Sequence, residues 1–141
     1  MTRVVDTSVV IKWIVAEQDS AVALALIGDD ILAPDLLKAE LANALWKKVR
    51  RGEITDAHAV VAFEEVLAIL PFAPSADLAG RALAIGLEAG HSIYDCHFLA
   101  LAETIGAKLI TADIRLVAKC DGTHFAELVE PLASVATGEG K

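Results

Sequence analysis

Short apolar runs that read as strands alternate along this chain with longer helical segments, and that alternation limits the fold more than any other feature. Strand-like runs lie near 3–6, 31–33, 71–73 and 107–111, with a fifth candidate near 127–130. Helical periodicity covers segments near 7–16, 19–28, 35–51, 55–70, 75–89 and 94–105. Strands alternating with helices imply parallel βαβ units, hence an α/β fold. The punctuation agrees. Pro34, Pro71, Pro74 and Pro131 fall at element borders, where a missing N–H does little harm, and Gly52, Gly90 and Gly106 follow helix ends.

A chain of 141 residues suits one domain with a single well-developed core. The expected domain is 1–135, with a Gly-rich, polar tail at 136–141. Hydrophobic residues make up 55% of the chain against 23% charged, and mean hydropathy is +0.54. Much of the apolar content is Ala, which favours closely packed helices and leaves material for a dimer face. No apolar run reaches the roughly eighteen residues of a membrane span, and Asp6, Lys12 and Glu17 interrupt the Val-rich start, so neither an anchor nor a signal peptide is read. A cytoplasmic protein is expected. Cys96 and Cys120 are too few for a disulfide framework or a zinc knuckle and read as buried small apolar residues. Twelve Lys and Arg against twenty Asp and Glu give a net charge of −8, which excludes an ordinary basic polyanion binder. Any nucleic-acid role must rest on metal ions and a local basic patch.

Four carboxylates occupy informative places. Asp6 follows the run Arg3-Val4-Val5, Asp113 closes Lys108-Leu109-Ile110-Thr111, and Glu40 lies in the helix that follows Ile31-Leu32-Ala33. Asp95 begins the apolar helix after Gly90-His91-Ser92. In an open α/β sheet, ligands bind outside the carboxyl ends of parallel strands, so parallel neighbours would bring all four acids to one rim. A structural role competes for three of them. Asp6 and Asp113 can cap the helices that follow them, and Ser92-Ile93-Tyr94-Asp95 matches a capping box.

Glu40 is different, because it sits inside a helix. At about 100° per residue, Asn43, Lys47 and Arg51 lie within about 60° of it, while Leu37, Leu41, Leu45 and Val49 gather on another side. Lys47 and Arg51 then stand roughly 10 and 16 Å along the axis from Glu40. Lys47-Lys48-Val49-Arg50-Arg51 is the one dense basic run in an acidic chain and could track the phosphates of a strand cut at the carboxylates. Equally, cations at a helix C-terminus meet the macrodipole favourably.

Converging carboxylates repel one another and raise at least one pKa, so the cluster makes electrostatic sense chiefly when it holds a cation. Mg²⁺ and Mn²⁺ are hard ions that prefer carboxylate oxygens and retain waters, and a site of this kind, with one ion or two, can hydrolyse a phosphodiester by a metal-activated water. Thr7, Ser8 and Thr111 flank the acids and read as residues that orient them, although local capping explains Ser8 as well. His91 and His97 flank Asp95 but read as polar-surface or helix-packing residues.

Val5-Asp6-Thr7-Ser8-Val9-Val10, Glu40-Leu41-Ala42-Asn43-Ala44-Leu45-Trp46, Tyr94-Asp95-Cys96-His97-Phe98-Leu99-Ala100-Leu101-Ala102 and Leu109-Ile110-Thr111-Ala112-Asp113 together resemble the PIN domain, in particular the VapC toxins of VapBC toxin–antitoxin pairs. The likeness covers nearly the whole chain, in order. It implies a Rossmann-like three-layer α/β/α fold with a short central parallel sheet of four to five strands. It also implies a Mg²⁺- or Mn²⁺-dependent endoribonuclease, usually homodimeric and silenced by a cognate VapB-type antitoxin. Asp6, Glu40, Asp95 and Asp113 match the family's acidic quartet, and Thr7, Ser8, Asn43 and Thr111 its accessory polar positions.

Two rival enzymes fail on the residues themselves. A phosphatase of the haloacid-dehalogenase type would need an Asp where Ser8 stands, and a receiver domain would need paired acids, a phosphoacceptor Asp and a late Lys as a set. A housekeeping PIN nuclease, or a non-catalytic acidic pocket that binds RNA or a basic partner, remains the alternative. Which RNA would be cut is not written in one chain.

Overall fold

The computed structural model describes residues 1–135, so the expected tail at 136–141 lies outside the described residues. Five strands, β1 (Arg3–Val5), β2 (Ile31–Pro34), β3 (Phe72–Ala73), β4 (Lys108–Thr111) and β5 (Val129–Pro131), form one sheet in the order β3-β2-β1-β4-β5. Every pairing is parallel. Strand β1 lies at the centre, with Val4 opposite Leu32 on one side and Leu109 on the other. Val4, Val5, Leu109 and Ile110 are wholly buried, as expected of parallel strands covered on both faces.

Among the described residues seven α-helices connect the strands: α1 (Thr7–Val10), α2 (Ser20–Leu24), α3 (Leu36–Arg50), α4 (Asp56–Ile69), α5 (Ala79–Ala89), α6 (Ile93–Ile105) and α7 (Ile114–Cys120). Helix α6 lies against β1, β2 and β4, α1 meets β4 and α3, and α7 rests on β4 and β5. Beyond β1 the chain steps outward to β2 and β3, then returns to the other side of β1 to lay down β4 and β5. The direction of winding therefore reverses between β1 and β4, and right-handed crossovers then place the two sets of helices on opposite faces. A reversal of this kind opens a crevice at the strands' carboxyl ends.

The helix expected over 7–16 is shorter. One α turn runs to Val10, a 3-10 turn covers Ile11–Trp13, and the Trp13 indole N–H donates to the Ala23 carbonyl at 2.7 Å, so the chain folds back to meet the next helix. That next helix is also short, Ser20–Leu24 instead of 19–28. The periodicity stops before α7, although the cap reading of Asp113 implies a helix there. Cys96 and Cys120 are free and buried, and burial raises both thiols, that of Cys96 to about 11, so neither is a nucleophile at neutral pH. No helix among the described residues is long and apolar enough to cross a membrane.

One close approach shapes the region next to the crevice. At Gly86, in the last turns of α5, a Cβ would stand 2.2 Å from Ile93 Cδ1 and 3.1 Å from the His91 carbonyl oxygen. Only Gly lets the start of α6 come this near. Gly90 then ends α5 in the left-handed conformation, φ +69°, and turns the chain sharply into His91 and Ser92.

Candidate active site

Asp6 is the residue after β1, and with Thr111 it is one of the two polar or charged residues in the core of the described chain. Its backbone is extended and its Oδ1 accepts the Val9 N–H at 3.3 Å, so it does cap α1. The cap is only part of its role. Ser8 donates its hydroxyl to Oδ1 at 2.5 Å, and Thr111, at the end of β4, donates to Oδ2. The Ser8 and Thr111 hydroxyls are 3.3 Å apart, and Ser8 Oγ accepts the Ala112 N–H at 2.9 Å. Residues from the ends of β1 and β4 are thus laced together at the point where the winding reverses.

Burial pushes the Asp6 carboxyl up to about 7 despite the lowering effect of the Ser8, Thr111 and Val9 hydrogen bonds, and the nearby Asp95 raises it further. Glu40, on the first half of α3, is half-buried and is also raised, first by burial and then by Asp95, while Thr7 donating to Oε1 at 2.8 Å and the neighbouring His97 pull the other way. Asp95 therefore acts electrostatically on both other acids. It stands in the first turn of α6, where His91 Nε2 lies 2.8 Å from its Oδ2. Asp113 caps α7, its Oδ1 accepting the Arg115 and Leu116 N–H groups at 2.9 and 3.4 Å. One donor atom each from His91, Asp95 and Asp113 lies within 4.8 Å of the others.

The four acids read from the sequence are thus brought to one rim, by the ends of β1 and β4 and the starts of α3 and α6. Three of the four accessory residues touch them: Thr7 holds Glu40, and Ser8 and Thr111 hold Asp6. Asn43 is exposed on α3 and makes no side-chain hydrogen bond among the described residues. Of the basic run, Lys48 pairs with Glu17 and Glu53, Arg51 stands 3.9 Å from Glu53, and Arg50 stacks over Trp46. Lys47 is exposed and has no ionic partner among the described residues. His97 donates from Nδ1 to the Ile93 carbonyl at 2.8 Å, a helix-packing bond as expected. His91, which the sequence reads as a polar-surface or helix-packing residue, stands beside Asp95 and Asp113. Its place in the site depends on the Gly86 contact and the Gly90 turn, which no local motif displays.

A PIN domain family model matches residues 3–121 of the chain. Ribonuclease VapC3 of Pyrobaculum aerophilum is 35% identical over 136 residues, which span 93% of this chain and all of that protein. The chain belongs to the PIN-domain family, with VapC proteins among its relatives. Two solved structures share the fold. The crystal structure of PAE2754 from Pyrobaculum aerophilum superposes with a TM-score of 0.73 at 25% identity, covering 96% of this chain and 86% of that one. VapBC-5 from Mycobacterium tuberculosis, described as a toxin–antitoxin system, superposes with a TM-score of 0.58 at 27% identity, covering 92% and 96%.

PIN nucleases generally use divalent metal, and the donors present suit one. Among the described residues no Lys or Arg forms an ion pair with Asp6, Glu40, Asp95 or Asp113. Burial raises the Asp6 and Glu40 carboxyls first and the neighbouring Asp95 adds to it, and a bound cation would offset both. Carboxylate oxygens are the ligands that Mg²⁺ and Mn²⁺ prefer.

Proposed function

We propose that this PIN protein is a Mg²⁺- or Mn²⁺-dependent endoribonuclease and the toxin member of a VapBC-type pair. The observation that carries the reading is the convergence of Asp6, Glu40, Asp95 and Asp113, with no side-chain cation among them, at the crevice where the sheet reverses its winding. Asp6, Glu40 and Asp95, with Asp113 at the edge, would hold one or two ions, which would supply the Lewis acidity that activates a water against a phosphodiester and stabilises the leaving oxygen. The chain's own polar residues do the positioning. Ser8 and Thr111 fix both oxygens of Asp6, and Thr7 fixes Oε1 of Glu40, whose other oxygen has no hydrogen-bond partner among the described residues. No protein general base is required. Lys47 and Arg51, on the Glu40 face of α3, would steady the phosphates of the RNA strand.

The antitoxin half rests on the likeness to VapC3 and VapBC-5 and on a suitable face. A groove of about 610 Å³ between α3 and α4 is lined by Leu45, Trp46, Val49, Val60 and Phe63, and suits an apolar segment that folds as it binds. Leu83 and Leu87, half or more exposed on α5, support a homodimer. A cytoplasmic setting follows from this role.

A circular single-stranded RNA separates the readings, because only an endonuclease can open it. Linear product is expected with Mg²⁺ or Mn²⁺ and none with chelator, and its ends should be 5′-phosphate and 3′-hydroxyl, because a water and not the ribose 2′-hydroxyl attacks. A 2′,3′-cyclic phosphate would overturn the mechanism. An intact circle would overturn the endonuclease reading, and a linear RNA of the same sequence, bound but also left intact with metal, would leave a non-catalytic module.

A further inference from the structure

We infer that His91 is a nitrogen ligand of the metal site, forming with Asp95 and Asp113 a subsite that favours Mn²⁺ over Mg²⁺. The inference rests on the metal-dependent reading above and adds to it a residue outside the acidic quartet.

The main chain and the side chain of His91 are both held in place. Its main chain is held from two sides, by the Gly86 approach to the His91 carbonyl and by the left-handed turn at Gly90. The side chain is only 11% exposed, yet it does not pack as an apolar ring. Nε2 sits 2.8 Å from Asp95 Oδ2, and one donor atom of Asp113 completes a trio spanning less than 5 Å. Two oxygen or nitrogen donors on one octahedral ion, each about 2.1 Å from it, stand about 3 Å apart, close to this separation.

The remaining donors are left open for the purpose. Asp113 uses Oδ1 for the α7 cap, which leaves its second oxygen outside those bonds, and Asp95 Oδ1 has no hydrogen-bond partner among the described residues. His97 offers the contrast. Its Nδ1 is committed to the Ile93 carbonyl, and the ring contributes no donor to the trio. With no cation, His91 Nε2–H donates to Asp95. With one, the ring would offer its Nε2 lone pair in place of that hydrogen bond.

Selectivity follows from donor softness. Mg²⁺ takes oxygen almost exclusively and gives up water reluctantly, whereas imidazole suits the first-row transition ions, of which Mn²⁺ also accepts carboxylates. A His in an all-oxygen quartet therefore tilts the site away from Mg²⁺.

The test uses the whole purified protein loaded with Mn²⁺. Pulsed electron paramagnetic resonance should show ¹⁴N coupling of imidazole strength in the wild type, absent in His91→Ala and His91→Gln. Calorimetric titration should find Mn²⁺ binding weakened about tenfold or more in both variants and Mg²⁺ binding changed much less. The Gln variant keeps an N–H able to bond Asp95, so recovery of Mn²⁺ affinity in His91→Gln would reduce His91 to a positioning residue and overturn the inference. Wild-type protein that binds Mn²⁺ through Asp95, losing it in Asp95→Asn, yet shows no imidazole ¹⁴N, would overturn this inference and leave the acidic site standing. Wild-type protein that binds neither ion would sink both.

Discussion

Thr111, wholly buried at the end of β4, donates its hydroxyl to Oδ2 of Asp6 at the end of β1, and so ties together the two strands between which the sheet reverses its winding. The bond also lowers the cost of keeping Asp6 ionised. Thr111→Val keeps the shape and removes the donor. It should destabilise the protein by about 1–2 kcal/mol, raise the Asp6 carboxyl further and weaken Mn²⁺ binding. Denaturant midpoints and calorimetric titration of the purified variant check both effects. An unchanged midpoint together with unchanged Mn²⁺ affinity would mean that the hydroxyl pair is incidental.

Asp6 gives the stability of the metal-free protein a defined pH dependence. Its carboxyl titrates near its ordinary value of 3.8 in the unfolded chain and at about 7 in the folded one. Below about 4 both states hold the proton and burial carries no charge penalty. Between about 4 and 7 unfolding releases a proton, so stability falls as pH rises, by at most about 1.4 kcal/mol per pH unit, and levels off above 7. Asp6→Asn lacks this slope. In chelator, the variant should gain on the wild type from pH 5 to pH 8, and added Mg²⁺ should narrow the difference by stabilising the wild type alone. A constant difference across that range would place Asp6 as an ordinary helix cap.

Much of the site is legible in the sequence because Asp6 and Asp113 stand at strand ends and Glu40 follows one, and parallel strands put such positions on one rim by topology alone. Asp95 needed its motif, since nothing in the periodicity of α6 says which strands it lies across. Asp6 and Asp113 also cap α1 and α7, each through Oδ1, so capping and a place at the crevice do not exclude one another. His91 escaped because its direction is set by a contact between Gly86 and Ile93, a tertiary fact with no periodic signature. The same holds for the 7–16 segment, whose helix is cut short after Val10 where Trp13 turns to bond Ala23.

Gly86 tests that tertiary fact. An Ala there meets Ile93 Cδ1, which can rotate away, and the His91 carbonyl at 3.1 Å, which cannot. Gly86→Ala should cost about 1–3 kcal/mol and weaken Mn²⁺ binding although it lies outside the site. Full wild-type stability and Mn²⁺ affinity in this variant would show that the elbow between α5 and α6 is softer than its packing implies.

Lys47 and Arg51 differ in what the structure leaves them free to do. Arg51 stands 3.9 Å from Glu53, whereas exposed Lys47 has no ionic partner among the described residues. Lys47→Ala with Arg51→Ala should raise KM and flatten the salt dependence of cleavage by about two units of slope at most, with kcat changed less than by loss of an acid. A salt slope equal to that of the wild type would leave both as helix-end cations.

Asp95 is the acid that acts on both Asp6 and Glu40 and lies against His91. Single-turnover cleavage of a defined RNA should be followed with wild type and Asp95→Asn, purified side by side, in Mn²⁺ and in chelator. The predicted result is cleavage by wild type only with metal, a loss of at least about a hundredfold in the variant, and equal or higher thermal stability of the variant without metal, because repulsion is relieved. Cleavage by Asp95→Asn at the wild-type rate would contradict the assignment of this crevice as the active site.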